Sequence, residues 1–241
     1  MINTELVAKA KDIALNHKTL YVLGGFGSPA TAANKKRWIN AYSYNAGYTR
    51  RRLIESASAD TFFFDCIGLV KGILWGWNGD KNATYGGAAY ISNGVPDIGA
   101  DYTITLCKGI SSDFRHIELG EAVWLEGHIG IYIGDGLAIE CSPRWADGVQ
   151  ITALGNIGSK KGYNTRTWTK HGKLPWVTYC PKGDIDFDGK VTPADARKAL
   201  RAAVGLEKLS EAQKIAGDVD NDGKVTAADA RAILNQSVNK E

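Results

Sequence analysis

The sequence has no apolar run near the roughly 18 residues a helical membrane span requires, which excludes such a span. Cysteine is scarce: Cys66, Cys107, Cys141 and Cys180 stand far apart, with no Cys-x-x-Cys pair. That spacing argues against a zinc ribbon or a thioredoxin-like redox pair. Four cysteines in 241 residues are also too few for a disulfide scaffold. The opening Met1-Ile2-Asn3-Thr4-Glu5 carries no basic segment leading into an apolar one, so no secretory signal is visible. A strong charge of one sign is missing too. The net charge is +3, and the clusters Lys35-Lys36-Arg37 and Arg50-Arg51-Arg52 are short enough to be solvated helix faces, so no nucleic-acid partner is expected.

What is present is an ordinary globular composition, 44% hydrophobic and 23% charged, with room for one core and a small extra module. Residues 1–183 hold 20 basic and 15 acidic side chains, whereas residues 184–241 hold 9 and 11. The mildly basic front suits an anionic polymer such as a bacterial wall.

An internal repeat dominates the acidic end. The stretch from Gly183-Asp184-Ile185-Asp186 to Asp195-Ala196-Arg197 returns 34 residues later as Gly217-Asp218-Val219-Asp220 to Asp229-Ala230-Arg231. Each copy reads as a calcium loop, because a hard cation takes six to eight oxygens and alternate side chains of a tight loop converge on it. Asp184, Asp186 and Asp188 fill positions 1, 3 and 5 of the first loop, and Asp218, Asp220 and Asp222 those of the second. Gly189 and Gly223 make the sharp turn; Lys190 and Lys224 offer a backbone carbonyl; Thr192 and Thr226 occupy position 9. Asp195 and Asp229 supply the closing bidentate carboxylate at position 12. Two such loops imply two structural calcium ions, without which the clustered carboxylates repel and the segment loosens. Helices are expected from Pro193 to about Val204, near Ser210 to Ala216, and from Ala227 to about Ser237.

Residues 183–241 resemble a dockerin, the module by which secreted enzymes of plant-wall-degrading bacteria bind cohesin modules on scaffoldins. The resemblance implies a cohesin partner in a cellulosome-type assembly. It also implies contacts through Pro193, Ala194 and Arg197 in one copy and Ala227, Ala228 and Arg231 in the other. The small apolar residues stand where some dockerins carry Ser/Thr, which implies a different cohesin specificity.

In the front domain, Leu6, Val7, Ala10, Ile13 and Ala14 share one helical face, so a helix spans Thr4–His17. Asn34 is a candidate cap for a second helix through Trp38 and Ile39. Strands are expected at 121–125, 128–133, 137–141, 149–152 and 175–180, giving an α+β domain around an antiparallel sheet. Asp65 can cap a helix opening at Cys66. A thiol there feels the helix dipole, which favours the nucleophilic thiolate. Downstream, residues 127–141 read as a β-hairpin with His128, Gly130 and Tyr132 on one face, and the glycines leave room for a substrate backbone. Glu140 is the candidate to orient the imidazole. A two-residue turn places it opposite Ile131 on the wrong face, and a three-residue Gly134-Asp135-Gly136 loop places it opposite Gly130. His17, His116 and His171 read as surface residues, and most of Trp124, Trp145, Trp168 and Trp176 as core.

The segments Tyr21-Val22-Leu23-Gly24-Gly25, Asp65-Cys66-Ile67-Gly68-Leu69-Val70 and Gly127-His128-Ile129-Gly130-Ile131-Tyr132-Ile133-Gly134 together resemble the NlpC-type cell-wall cysteine peptidases, a branch of the papain-like fold. The resemblance covers about residues 1–180. It implies N-terminal helices on an antiparallel sheet, Cys66 as nucleophile, His128 as general base and Tyr21 as an oxyanion-side hydroxyl. The family's third residue, usually His, Asn or Gln, falls on Glu140. The implied substrate is the peptide part of peptidoglycan, with no cofactor for the chemistry. A CHAP-type amidase or acyltransferase, and a non-catalytic wall-binding module, are the rival readings. Residues 1–180 and 181–241 are thus read as hydrolase domain and all-α calcium-binding dockerin. The pair implies an extracellular, assembly-bound protein whose export signal has been removed.

Overall fold

The computed structural model describes residues 1–238; the last three residues of the 181–241 segment lie outside the described residues. The chain divides into two units, residues 9–176 and residues 1–8 together with 177 onward. Helix α1 (Asn3–Asn16) begins the chain with Leu6, Val7, Ala10 and Ile13 all fully buried on its apolar face.

In the 9–176 unit most helices lie in the first half and most strands in the second, with β1–β3 among the helices, and the class is α+β. After β1 (Lys18–Tyr21) and β2 (Phe26–Pro29) come three short helices, α2 (Ala32–Ala41), α3 (Ser43–Ala46) and α4 (Tyr48–Ser56). Strand β3 (Thr61–Phe64) then runs into α5 (Cys66–Leu74), followed by α6 (Ala100–Leu106). The rest is mainly sheet: β4 (Lys108–Ser111), β5 (Ala122–Leu125), β6 (His128–Gly134), β7 (Leu137–Ser142), β8 (Gly148–Leu154), β9 (Thr165–Arg166) and β10 (Lys170–Lys173). These seven strands form one sheet in the order β4-β10-β5-β6-β7-β8-β9, antiparallel except for the β8–β9 pair. A separate three-stranded sheet, β1-β3-β2, has β3 at its centre. Its Phe62, Phe63 and Phe64 are fully buried, as a continuous apolar strand should be.

Helix α5 is buried almost all round and packs on β2, β6 and β7. Asp65 caps it, its side chain accepting from the Gly68 N–H at 2.6 Å. The close approach depends on two glycines one turn apart. A Cβ at Gly68 would stand 1.8 Å from the Gly25 carbonyl oxygen, and one at Gly72 would stand 2.5 Å from that of Phe26.

Several expectations need correction. The 175–180 segment is not a strand: among the described residues it makes one parallel bridge after Pro175, Ile2 to Thr178, while the strand that joins the sheet is β10, at 170–173. Proline and the turn it starts interrupt any ladder there. Thr31, not Asn34, caps α2; Asn34 is buried and donates to the carbonyls of Pro29 (2.9 Å) and Thr84 (3.0 Å). His171 is not on the surface. It is buried in β10, bonded to Glu121 through Nδ1 and to the Asp113 carbonyl through Nε2 at 3.0 Å. His17 is likewise half-buried, edge-on to Phe62 and Trp77. His116 is exposed, as expected.

The other unit holds α7 (Pro193–Ala203), α8 (Glu211–Gly217) and α9 (Ala227–Val238) around Ile185, Val191, Ala196, Ala199, Ala230 and Ile233. Thr192 and Ser210 both begin capping boxes. Among the described residues no helix is long and apolar enough to cross a membrane.

Substituting Gly68→Ala drives a methyl into a backbone oxygen that cannot swing away. It should lower the free energy of unfolding by about 2–3 kcal/mol, read by urea melts of the full chain.

Candidate functional site

The nucleophile candidate is set by backbone chemistry. The two oxygens of Asp65 accept from Gly68 N and from Gly24 N (2.7 Å), while its own N–H donates to the Gly25 carbonyl at 2.8 Å. One residue therefore starts α5 and ties down the 22–25 loop. Burial pushes the Asp65 carboxyl above its ordinary range. Cys66 follows, at the first turn of α5, and keeps 7% of its surface. Its Sγ lies 3.9 Å from the Gly127 carbonyl oxygen and also feels the Ile129 N–H. The sulfur thus meets backbone groups on both sides of His128 in sequence.

Asp101, from α6, holds that turn: its Oδ1 accepts from Gly127 N (2.7 Å) and Trp124 Nε1 (2.9 Å). No hydrogen bond joins the Cys66 sulfur to the His128 ring. His128 uses Nε2 to bond Glu140 Oε2 at 2.7 Å. Bonds between nucleophile and base are often unmade in a free site and tighten with substrate.

The helix dipole alone does not make a thiolate here. Burial, with the nearby Asp65 carboxylate, pushes the Cys66 thiol up to about 12. Ionisation needs an imidazole to take the proton.

The hairpin turns on two residues, Asp135-Gly136, both with left-handed backbone, and Gly134 pairs with Leu137; a β-bulge between Tyr132 and Gly134 then shifts the register by one residue. Glu140 is consequently paired opposite Gly130, on the His128 face. It is completely buried and fully bonded. Oε1 accepts from Thr152 Oγ1 (2.9 Å) and Arg166 Nε (2.7 Å), and Oε2 meets His128 Nε2 and Arg166 Nη2 (2.7 Å). Burial would raise its carboxyl, but the bonds from His128 and Arg166 outweigh that and hold it below the ordinary range.

Arg166 and Thr152 were not among the residues expected at the site. Arg166 sits in a two-residue strand with no periodicity to reveal it, and the parallel pairing of Leu154 with Arg166 delivers it. The space beside Gly130 is not open to substrate: a Cβ there would stand 3.1 Å from the Trp168 indole, which stacks on the His128 ring at 5.4 Å and 6°. Trp168 is buried, but Trp145 is exposed and lies over Arg166.

Tyr21 ends β1 opposite Phe64, two residues before Cys66. Burial first, then the Cys66 and Asp65 charges, push its phenol well up, so it stays a neutral donor. Beside the Asp65 cap opens a cavity of about 410 Å³, walled by Leu23, Gly24, Trp38, Tyr42, Tyr85 and Tyr90 among others. Arg37 lies over the Trp38 and Tyr85 rings at its side (5.3 and 4.9 Å) with no hydrogen-bond or ion-pair partner among the described residues.

In the C-terminal unit, carboxylate oxygens of Asp184, Asp186 and Asp195 converge within 4.8 Å of one another, as do those of Asp218, Asp220 and Asp222. Asp188 and Asp229 stand outside these groups. Asp188 accepts from Lys190 N; Asp229 accepts from Val219 N and from both N and Oγ1 of Thr226. Asp195 makes the matching bonds with Ile185, Asp186 and Thr192. Asp184, Asp195 and Asp229 are fully buried. Burial, with Asp195 and Asp188 nearby, pushes the Asp184 carboxyl up. A hard divalent cation fits this all-oxygen set and relieves both burdens. Lys190, Lys224, Thr192 and Thr226 lie in the loops where a backbone or hydroxyl oxygen was expected.

Pro193, Arg197, Ala227 and Arg231 share an open apolar groove with Ala196, Leu200, Ala230 and Leu234, the two halves contributed by α7 and α9. Ala194 and Ala228 are exposed but do not line it.

Residues 182–239 match the family described as dockerin type I domain. No curated protein matches the chain. The segment is thus a dockerin, with calcium as its structural ion and cohesin modules as its binding partners. Chelating calcium with EDTA should lower the helical circular-dichroism signal and broaden the melt of the full chain, and added calcium should restore both. Asp195→Ala should weaken calcium binding at least roughly tenfold by isothermal titration.

Proposed function

We propose that residues 1–180 form a cysteine-nucleophile hydrolase that cleaves amide bonds in peptidoglycan peptides, carried on a cohesin-bound assembly by its dockerin. The observation that carries this reading is the Cys66 sulfur against the backbone that flanks His128, whose far nitrogen is bonded to buried Glu140. Two protein groups that resemblance assigned to the reaction from distant parts of the chain, with a third to orient them, are what a covalent amide hydrolase requires.

In this mechanism the Cys66 thiol turns from the Gly127 carbonyl to His128 Nδ1 and gives up its proton. The sulfur attacks the amide carbon, and the imidazolium protonates the departing nitrogen as the C–N bond breaks. Water, losing its proton to the imidazole, then attacks the thioester and releases the carboxylic acid and the thiol. The Cys66 N–H and the neutral Tyr21 hydroxyl face the developing oxyanion. The cavity beside Asp65 receives the substrate, with unpaired Arg37 meeting a carboxylate of the peptide.

The dockerin supports an extracellular, assembly-bound location. The slightly basic front supports an anionic wall substrate.

Cys66→Ala should abolish release of amino groups from purified bacterial wall, with residual activity below roughly 0.1% of the parent. A mutant that lyses wall as fast as the parent leaves only a wall-binding role for this domain. Digest products that begin at the muramoyl amide instead of within the stem peptide favour the CHAP-type amidase. Arg37→Gln should raise KM about fivefold or more and leave kcat nearly unchanged, as loss of uniform binding does.

A further inference from the structure

We propose that Arg166 is a positioning residue that neutralises Glu140, so that the carboxylate aligns His128 without locking it as a cation. The proposal rests on the dyad reading above. A lone buried carboxylate 2.7 Å from an imidazole strongly favours imidazolium. An imidazole trapped in that form cannot take the proton from the hydrolytic water.

The geometry supplies the remedy. Arg166 grips Glu140 with two parallel contacts, Nε to Oε1 and Nη2 to Oε2, both 2.7 Å. Such a fork fixes the carboxylate plane as well as its charge. Thr152 fills the remaining side of Oε1 at 2.9 Å. Among the described residues His128 and Arg166 are the only charged partners of Glu140, so the Glu140–Arg166 pair presents His128 with a net-neutral acceptor.

Arg166 is itself held. Its guanidinium lies 4.9 Å from the Trp145 ring and 5.6 Å from that of Trp168, and its Nη2 reaches Ser142 Oγ at 3.3 Å. Trp168 also stacks on the His128 ring. One indole therefore supports both the cation and the imidazole that it balances.

The other titratable groups around the dyad come from β1, the cap of α5, β7 and the loop after it, α4 and α6. Asp65 and Tyr21 stand beside Cys66, as does Cys141 from β7. Asp147, whose charge Cys141 feels, is bonded to Arg50. Asp101 lies against the Gly127 turn. None of them bonds Glu140.

The test is the pH profile of Cys66 alkylation by iodoacetamide in the calcium-loaded full chain, followed by mass spectrometry of the Cys66 peptide. Arg166→Gln exposes the full Glu140 charge, strengthens the imidazolium–thiolate pair, and should move half-reactivity down by about one pH unit. Glu140→Gln leaves Arg166 unbalanced and should move it up by a similar amount. The double variant, again net neutral, should return to the parent profile, and Arg166→Lys should stay close to it. Single variants that shift the same way, or a double variant that keeps either shift, overturn the proposal. If Arg166→Gln alone fails to fold, the comparison of Glu140→Gln with the double variant decides, because adding the second change must reverse the first. A parent profile untouched by His128→Ala overturns the dyad, and this proposal with it. A dyad-sensitive profile indifferent to Arg166 overturns this proposal alone.

Discussion

The front unit depends on how closely α5 can press against the backbone of the 22–26 segment. Gly68 and Gly72 remove the side chains that would forbid the contact, and Asp65 fastens it from both sides. The same carboxylate starts the helix and holds the loop after Tyr21. Cys66 and the loop after Tyr21 are therefore placed by a single capping interaction, and the cavity walled by Leu23, Gly24 and Asp65 is bounded by the same loop. A helix this apolar has few other options: eight of its nine residues are buried, so packing on all sides fixes its position.

The imidazole side is built differently, from strand register and buried charge. A β-bulge between Tyr132 and Gly134 turns Glu140 to the His128 face, since without that one-residue shift the two-residue turn would have sent it to the other. Once there, a fully buried carboxylate needs satisfaction of every lone pair. It receives four contacts, from His128, Thr152 and the two arms of Arg166. Burial raises the thiol, so the proposed reactivity depends on this second half of the site to accept its proton.

The dockerin follows a more local logic. Each calcium loop closes on itself: Asp195 and Asp229 accept from loop N–H groups and from the Thr192 or Thr226 ahead of the following helix, and in the first loop Asp195 also joins the converging carboxylates. The groove of α7 and α9 then repeats small and leucine side chains at matching positions of the two copies. This unit is the cohesin-binding module, while the proposed chemistry belongs to the other.

How much was legible in the sequence follows from the range of the interactions. The calcium loops, the Asp65 cap, four of the sheet strands and all three dockerin helices were readable, because ligand spacing, capping and periodicity act over a few residues. The sequence left two registers open for the 127–141 hairpin, and only the folded sheet chose between them. Arg166, Thr152 and the stacking of Trp168 on His128 had no local signature. They reach Glu140 and His128 through pairings 12 to 40 residues apart that depend on the whole sheet. The burial of His171 and the missing strand at 175–180 escaped for the same reason. The sequence by itself determined where the calcium loops lie and where α5 begins, since both are set by near neighbours; the tertiary structure alone decided which side chains share a buried charge, because solvent exclusion belongs to the assembled fold.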